Sequence, residues 1–282
     1  MHRNHLAALL TVAMLLASCL PAAAATAPRD LRLYAMDCGT LTLADADAYA
    51  DDGAYKGVAR TLVVPCYLIR HPQGDLLWDT GLPQAMAELP DGSGPSGVRV
   101  THKLTDQLQA LGLTPADIEF LSVSHSHFDH MGNAGLFAGS TWIVDPRERA
   151  HAFRPAARAD TDEFAAYSVL EDARTVLIER KGHDVFGDGS VTVIPAPGHT
   201  PGHAVLLVRL PRAGPVLLSG DLWHLAESRA ARRVPRFNFD RAETLRSMDK
   251  VEALARETNA RVVRQHVPED FAALPRFPQP LR

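Results

Sequence analysis

The sequence predicts a layered α/β fold, and three observations carry that expectation. Short apolar, strand-like runs alternate with segments of helical spacing along most of the chain. The polar clusters stand where strand-like runs stop, the place where layered folds gather side chains from distant segments. A chain of 282 residues, 46% of them hydrophobic, is also long enough to bury a sizeable core. A formal charge of −4, with both signs interspersed and no basic stripe, gives no reason to expect nucleic acid as a partner.

The first segment, MHRNHLAALLTVAMLLASCLPAAAATA, stands apart from that fold. Arg3 marks a short basic start, residues 6–20 are apolar, and small residues fill 22–27. This is the pattern of a secretory signal, and the run is short for a membrane span, an N-terminal anchor being the alternative. Cleavage after Ala25 would release the protein, giving a signal peptide over 1–25. The LASC box at 16–19 resembles a lipoprotein cleavage site instead, with a lipidated Cys19 tethering the chain to a membrane face. Either route predicts export, to the periplasm or as a membrane-anchored lipoprotein. Beyond residue 30 there is no linker, low-complexity tract or repeat, so residues 31–282 are expected to form one domain.

Strands are expected over residues 31–36, 61–70 and 75–78, with His71–Pro72–Gln73–Gly74–Asp75 as a hairpin turn and Gly74 at its tip. Residues 89–97, LPDGSGPSG, read as an exposed loop. KLTDQLQALGL reads as a helix ending near Gly112, and EFLSVS as a buried strand running into residue 125. Residues 147–180 read as interrupted helix. VTVIPAPGHTPGHAVLLVRLP gives strand, turn and strand, and PVLLSGDLWH gives a strand ending at Asp221. Leu245, Met248, Val251, Leu254 and Ala255 then share one face of an amphipathic helix, and ARVVRQH is a last strand ending at His266. Outside the leader, Cys38 and Cys66 lie in apolar runs, where a pair of buried free thiols is expected in preference to one disulfide.

The stretch SVSHSHFDHMGNAG, residues 122–135, holds His125, His127, Asp129 and His130 within six positions. The chain has 13 histidines against 5 tyrosines, a bias that points the same way, to metal chemistry. A divalent ion needs several imidazole or carboxylate ligands about 2 Å away. His-x-His puts two imidazoles on one side of an extended turn, and Asp129 and His130 can point at a second ion beyond it. The remaining donors stand at later strand ends: His199 in APGHTPGH, Asp221 in LLSGD and His266 in VVRQH. Of the two histidines in GHTPGH, His199 is expected to ligate and His203 to remain outside the set. Five histidines and two aspartates then make two four-ligand sites sharing Asp221. Oxygen and imidazole donors without a thiolate suit zinc, and also cobalt, manganese or iron.

His-x-His-x-Asp-His, then Gly-His-Thr-Pro-Gly-His, Asp221 after an apolar strand and a terminal His266 together resemble the metallo-β-lactamase superfamily. LLWDTG, residues 76–81, resembles its early Asp-Thr-Gly signature, with Asp79 as a buried supporting carboxylate. The resemblance covers nearly all of residues 31–282. It implies an αββα sandwich: two mixed β-sheets face to face, helices outside, and a dinuclear site at one edge. SHSHFDHMGN with Phe128, CYLIRHPQGDLLWDTG and FDRAETLRSMDKVEALARE look most like the N-acyl-homoserine lactonases. That resemblance implies one ion on His125, His127 and His199, another on Asp129, His130 and His266, and Asp221 between them. It implies a hydroxide between the ions attacking a lactone carbonyl, with Asp129 passing a proton to the departing alkoxide.

One position departs from that pattern. The lactonases commonly carry a tyrosine three residues after the bridging aspartate, and here it is His224, whose neutral N–H can also donate to a substrate carbonyl. Trp223 is expected as pocket wall or core. The substrate is expected to be small, an acyl lactone or another ester. Among rivals, β-lactamases of this fold usually place Cys or Ser where Asp221 stands, and a thioesterase would need a basic cluster for glutathione that the C-terminus lacks. Phosphate-ester hydrolysis is a further alternative, and a metal-scavenging protein would need a closed site. Residues 42–57, 149–167 and 222–238 are expected to wall the pocket.

Overall fold

The computed structural model describes residues 27–282, and the expected leader with Cys19 lies outside them. One sheet is built from β1 (Arg32–Leu43), β2 (Arg60–His71), β3 (Gly74–Trp78), β4 (Val98–Arg99), β5 (Phe120–Ser122), β6 (Thr141–Val144) and β7 (Thr175–Leu177), ordered β4-β1-β2-β3-β5-β6-β7. A second holds β8 (His183–Asp184), β9 (Val191–Pro195), β10 (Ala204–Leu210), β11 (Gly214–Leu218) and β12 (Arg261–Val263), ordered β12-β11-β10-β9-β8. Both are mixed: β3, β5, β6 and β7 run parallel beyond the antiparallel β1–β2–β3 meander, and β12 runs parallel to β11.

Period-two alternation decides the layers. On β10, Leu206 and Val208 pack with Tyr67, Ile69, Leu76 and Trp78 of the first sheet, forming the core between the sheets. Their neighbours Val205 and Leu207 face outward, beneath Met248 and Val251 of a long helix. On the first sheet, Leu68 and Leu77 face Leu104 and Leu108 of another helix. Each such side chain, fully buried, contributes roughly 1.5–3 kcal/mol. The described residues hold α1 (Leu104–Ala110), α2 (Phe128–Met131), α3 (Pro146–Ala152), α4 (Pro155–Ala159), α5 (Thr161–Ala165), α6 (Ser228–Ala231), α7 (Arg241–Thr258) and α8 (Pro268–Ala272). Helix, sheet, sheet, helix is therefore the layer order, as the resemblance implies. α7 starts where Asp240 accepts from the Glu243 backbone N–H at 2.8 Å and stops at Asn259 in the left-handed region.

Three expectations change. Cys38 and Cys66 form a disulfide and are not free thiols, their Cα atoms 5.8 Å apart. Antiparallel pairing sets Met36 against Cys66, and the register shift between Asp37 and Thr40 brings Cys38 beside it, a cross-strand meeting invisible to local pattern. The hairpin tip is Pro72–Gln73, because Gly74 already pairs with His71 as the first residue of β3. Within residues 147–180 the helical character ends early: Thr175–Leu177 forms β7 and completes the sheet beside β6. α3, α4 and α5 account for the earlier part.

Candidate metal centre

Four strands of the two sheets end at one edge, and each hands its chain to a loop carrying a polar side chain. β5 leads to His125 and His127, with Asp129 and His130 following on the single turn of α2. β9, β11 and β12 lead to His199, Asp221 and His266. All seven sequence-predicted ligands meet there. His125 Nε2 lies 2.8 Å from His127 Nδ1, and His199 Nε2 lies 3.1 Å from the same atom. Asp221 Oδ2 faces this group, 3.6 Å from His125 Nε2 and 3.5 Å from His199 Nε2. Its other oxygen, Oδ1, is 3.2 Å from His130 Nε2 and 2.9 Å from His266 Nε2. Asp129 Oδ2 completes the second group, 3.7 and 3.6 Å from those two nitrogens.

The donor set fits two cations. Four ligands around a zinc-sized ion at about 2.0–2.1 Å stand roughly 3.4 Å apart, the scale of these separations. His130 Nε2 and Asp221 Oδ1 are buried without a hydrogen-bond partner, an arrangement whose cost a cation between them would remove. Burial keeps His125 and His199 well below the ordinary histidine range and lowers His127 to about 4, so these rings are neutral with lone pairs free. Burial also works against a charge on His130 and His266, but Asp221 and Asp129 outweigh it and raise both. Burial likewise opposes ionisation of Asp221, yet the surrounding imidazoles, His266 and His130 foremost, hold its carboxyl well below the usual range.

A ring of partners orients these ligands from behind. Asp79, fully buried, accepts from the Ser124 backbone at 2.6 Å through Oδ1. Its Oδ2 meets His130 Nδ1 at 3.1 Å and Gln265 Nε2 at 3.2 Å. Its backbone sits at φ 57°, a left-handed conformation costing about 1–3 kcal/mol in a non-glycine residue, held by this network. His199 Nδ1 lies 3.3 Å from Asn238 Oδ1, and His266 Nδ1 donates to the Val63 carbonyl at 2.8 Å. His203, left outside the ligand set on sequence grounds, is fully buried and bonds elsewhere. Its Nδ1 donates to the Ala196 carbonyl, and its Nε2 accepts from the Asp221 backbone N–H at 3.0 Å. It thus holds the strand end that presents Asp221.

Sequence reasoning missed Glu148 on α3. Its carboxylate accepts from Ser126 N and Oγ at 2.7 and 2.6 Å, from Thr200 Oγ1 at 2.6 Å and from Gly202 N at 2.9 Å. It therefore ties the His125–His127 loop to the His199 loop. Gly198 tightens the same loop: it adopts φ +130°, and a Cβ there would stand 2.2 Å from the Thr244 nitrogen. Gln265 and Asn238 were also missed, and only the GHTPGH pattern hinted at a constrained loop.

His224 stands on the wall of a cavity of about 300 Å³ that also reaches Asp129, Asp221 and His266. Its Nε2 lies 3.0 Å from Asp221 Oδ2. Trp223 is core, packed with Leu222, Met248 and Val251. A second cavity, about 270 Å³, shares Phe128 with the first and is lined by Pro83, Met86, Met131, Ala166 and Tyr167, with Asp160, Asp162 and Glu163 also on its wall. The three loops expected as walls contribute Tyr49, Tyr167 and Phe237 among others.

Known proteins resemble this chain in sequence and in fold. A family model described as the metallo-beta-lactamase superfamily matches residues 59–266, a span from β2 through the last ligand. An N-acyl homoserine lactonase of Azorhizobium caulinodans is 32% identical over 269 residues, covering 88% of this chain and 98% of the relative. One of Agrobacterium fabrum is 32% identical over 265 residues, covering 89% and 98%. Among solved structures, an N-acyl homoserine lactone hydrolase with the product N-hexanoyl-L-homoserine bound at its catalytic metal center superposes with a TM-score of 0.75 at 25% identity. The match covers 89% of this chain and 98% of that one. With its sandwich, its clustered strand ends and its near-full-length relatives in agreement, the chain belongs to the metallo-beta-lactamase superfamily.

Proposed function

We propose that this protein opens the lactone ring of N-acyl-homoserine lactones by hydrolysing the ring ester, a quorum-quenching activity. The observation that carries the reading is the paired cavity beside the histidine–aspartate cluster. The compartment at Asp129 and His224 suits a small polar ring, and the one beyond Phe128, walled by Pro83, Met86, Met131 and Ala166, suits an apolar acyl tail. Relatives named as N-acyl homoserine lactonases support the same substrate class.

His125, His127 and His199 would hold one divalent cation, Asp129, His130 and His266 the other, and Asp221 would serve both. Zinc fits this donor set, with cobalt, manganese or iron as substitutes. When bound, the pair supplies the Lewis acidity that makes water a nucleophile near neutral pH. Asp129 takes the proton released as water adds to the lactone carbonyl carbon and returns it to the ring oxygen as the acyl C–O bond breaks. His224 donates an imidazole N–H to the substrate carbonyl oxygen. Leu41, Phe128 and Phe237 give the pocket an apolar lining beside the reacting atoms. The test is acid release by the purified, zinc-loaded protein on lactones of short and long tail, beside a β-lactam and a phosphotriester. Lactone turnover that vanishes in Asp129→Asn is the expected result. Turnover of a control substrate alone would move the activity to that substrate's class.

The leader pattern and the Cys38–Cys66 bridge both support export, either to the periplasm or as a lipoprotein tethered through Cys19. Cell fractionation checks this, and retention in the cytoplasm would contradict it.

A further inference from the structure

The pocket wall holds one polar group that the reading above leaves unused. Tyr49 ends a short 3-10 turn, Asp47–Tyr49, between β1 and β2. Its ring stands edge-on to His224, 5.4 Å between centroids, and to Phe237, 5.2 Å. It lines the same cavity as Asp129 and Asp221. The hydroxyls of Tyr55 and Tyr167 bond to Ser228 and to the Ala152 carbonyl. The Tyr49 hydroxyl, by contrast, has no hydrogen-bond partner among the described residues. A phenol kept half-buried beside a reaction centre, with its donor unspent, is matched to a ligand atom.

The turn that carries Tyr49 is also fixed in place. Ala46 and Ala50 are fully buried among Leu41, Leu62 and Leu225. Asp47 and Asp52 pair with Arg236 and Arg233 of the facing loop and Asp51 with Arg241 at the start of α7, and the Arg236 backbone N–H donates to the Ala48 carbonyl at 2.8 Å.

We propose that Tyr49 contacts the substrate as a second donor, its phenol O–H hydrogen-bonding the ester carbonyl oxygen that gains negative charge as water adds. This rests on the lactone-opening reading. His224 Nε2 stands 3.0 Å from a carboxylate oxygen of Asp221 and has no hydrogen-bond partner among the described residues, so this wall offers two unspent donors, the imidazole and the Tyr49 phenol. Burial, and then the charges of Asp129 and Asp221, push its phenol above the usual tyrosine range, so it keeps the proton it donates.

Tyr49→Phe separates donation from packing, because it keeps the ring and removes only the hydroxyl. With a short-tail lactone, the expected result is a kcat roughly 10- to 100-fold lower with KM within about twofold. Zinc content and melting temperature should match the wild type. Tyr49→Ala, which also removes the ring, should raise KM as well. A Tyr49→Phe enzyme with wild-type kcat would overturn the proposal, as would a loss of zinc or of melting temperature large enough to explain its lost activity. Wild-type protein that leaves lactones intact would instead sink the reading beneath it, and that result appears in the control before any variant is tested.

Discussion

Replacing Glu148 by Gln keeps the size of the side chain and removes the charge on which Ser126, Thr200 and Gly202 converge. An amide offers one acceptor oxygen where the carboxylate offers two, so at least one buried donor is left unpaired, at about 1–3 kcal/mol. The two loops it joins carry His125, His127 and His199. Glu148→Gln is therefore expected to weaken zinc binding by roughly 10- to 100-fold, measured by competition with a chelator, and to lower the melting temperature. Unchanged zinc affinity would show that the loops hold themselves. Glu148 also marks the limit of reading residues from sequence. The seven ligands were legible because each stands at the end of an apolar run, four of them packed into one motif. Glu148, Asn238, Gln265 and Tyr49 carry no local signature: each reaches the site only through folding, from a helix face or a loop whose path no periodicity specifies.

Elements were legible in proportion to how much of their pattern is local. α7 announces itself by apolar spacing, and β9–β11 by continuous apolar runs flanked by turn residues. β6 and β7 are short and were passed over, because strands of a few residues become strands only by pairing. The Cys38–Cys66 bridge depends on register for the same reason. After β12, Arg264 clamps the loop that presents His266: its backbone N–H and guanidinium reach Asp270 at 2.7–2.9 Å. Burial works against the Asp270 charge, but these Arg264 hydrogen bonds outweigh it and hold the carboxyl below its ordinary value. A lowered carboxyl stabilises the fold above its unfolded pKa, and the contribution fades as pH falls through the folded value. Asp270→Asn should therefore cost about 2 kcal/mol at neutral pH and progressively less in acid, read from urea midpoints across pH. Parallel midpoint curves for the two proteins would contradict this assignment.

At the scale of the molecule, two cross-links act on the sandwich. The disulfide joins residues 28 apart in sequence, a loop whose closure in the unfolded chain is worth about 3–4 kcal/mol. The Cys38→Ser/Cys66→Ser protein should melt correspondingly lower and gain no further loss from a reductant. The second link would be the cations held by the histidine–aspartate cluster, whose ligands come from loops of both sheets, so ion binding is expected to couple to the fold. A free zinc concentration a hundredfold above Kd should stabilise by about 2.7 kcal/mol, lost on chelation. The sandwich itself was legible through the ordered motifs, whereas the way its two cavities meet at Phe128 was not, since that depends on α2, α5 and the loop holding Met86 all packing together. The most direct test returns zinc stepwise to the metal-free protein while lactone ring opening is followed. Activity that climbs and saturates at two zinc ions per chain is the expected result. Full activity without zinc, saturation at one ion, or no ring opening at saturation would contradict a shared two-cation site that hydrolyses lactones.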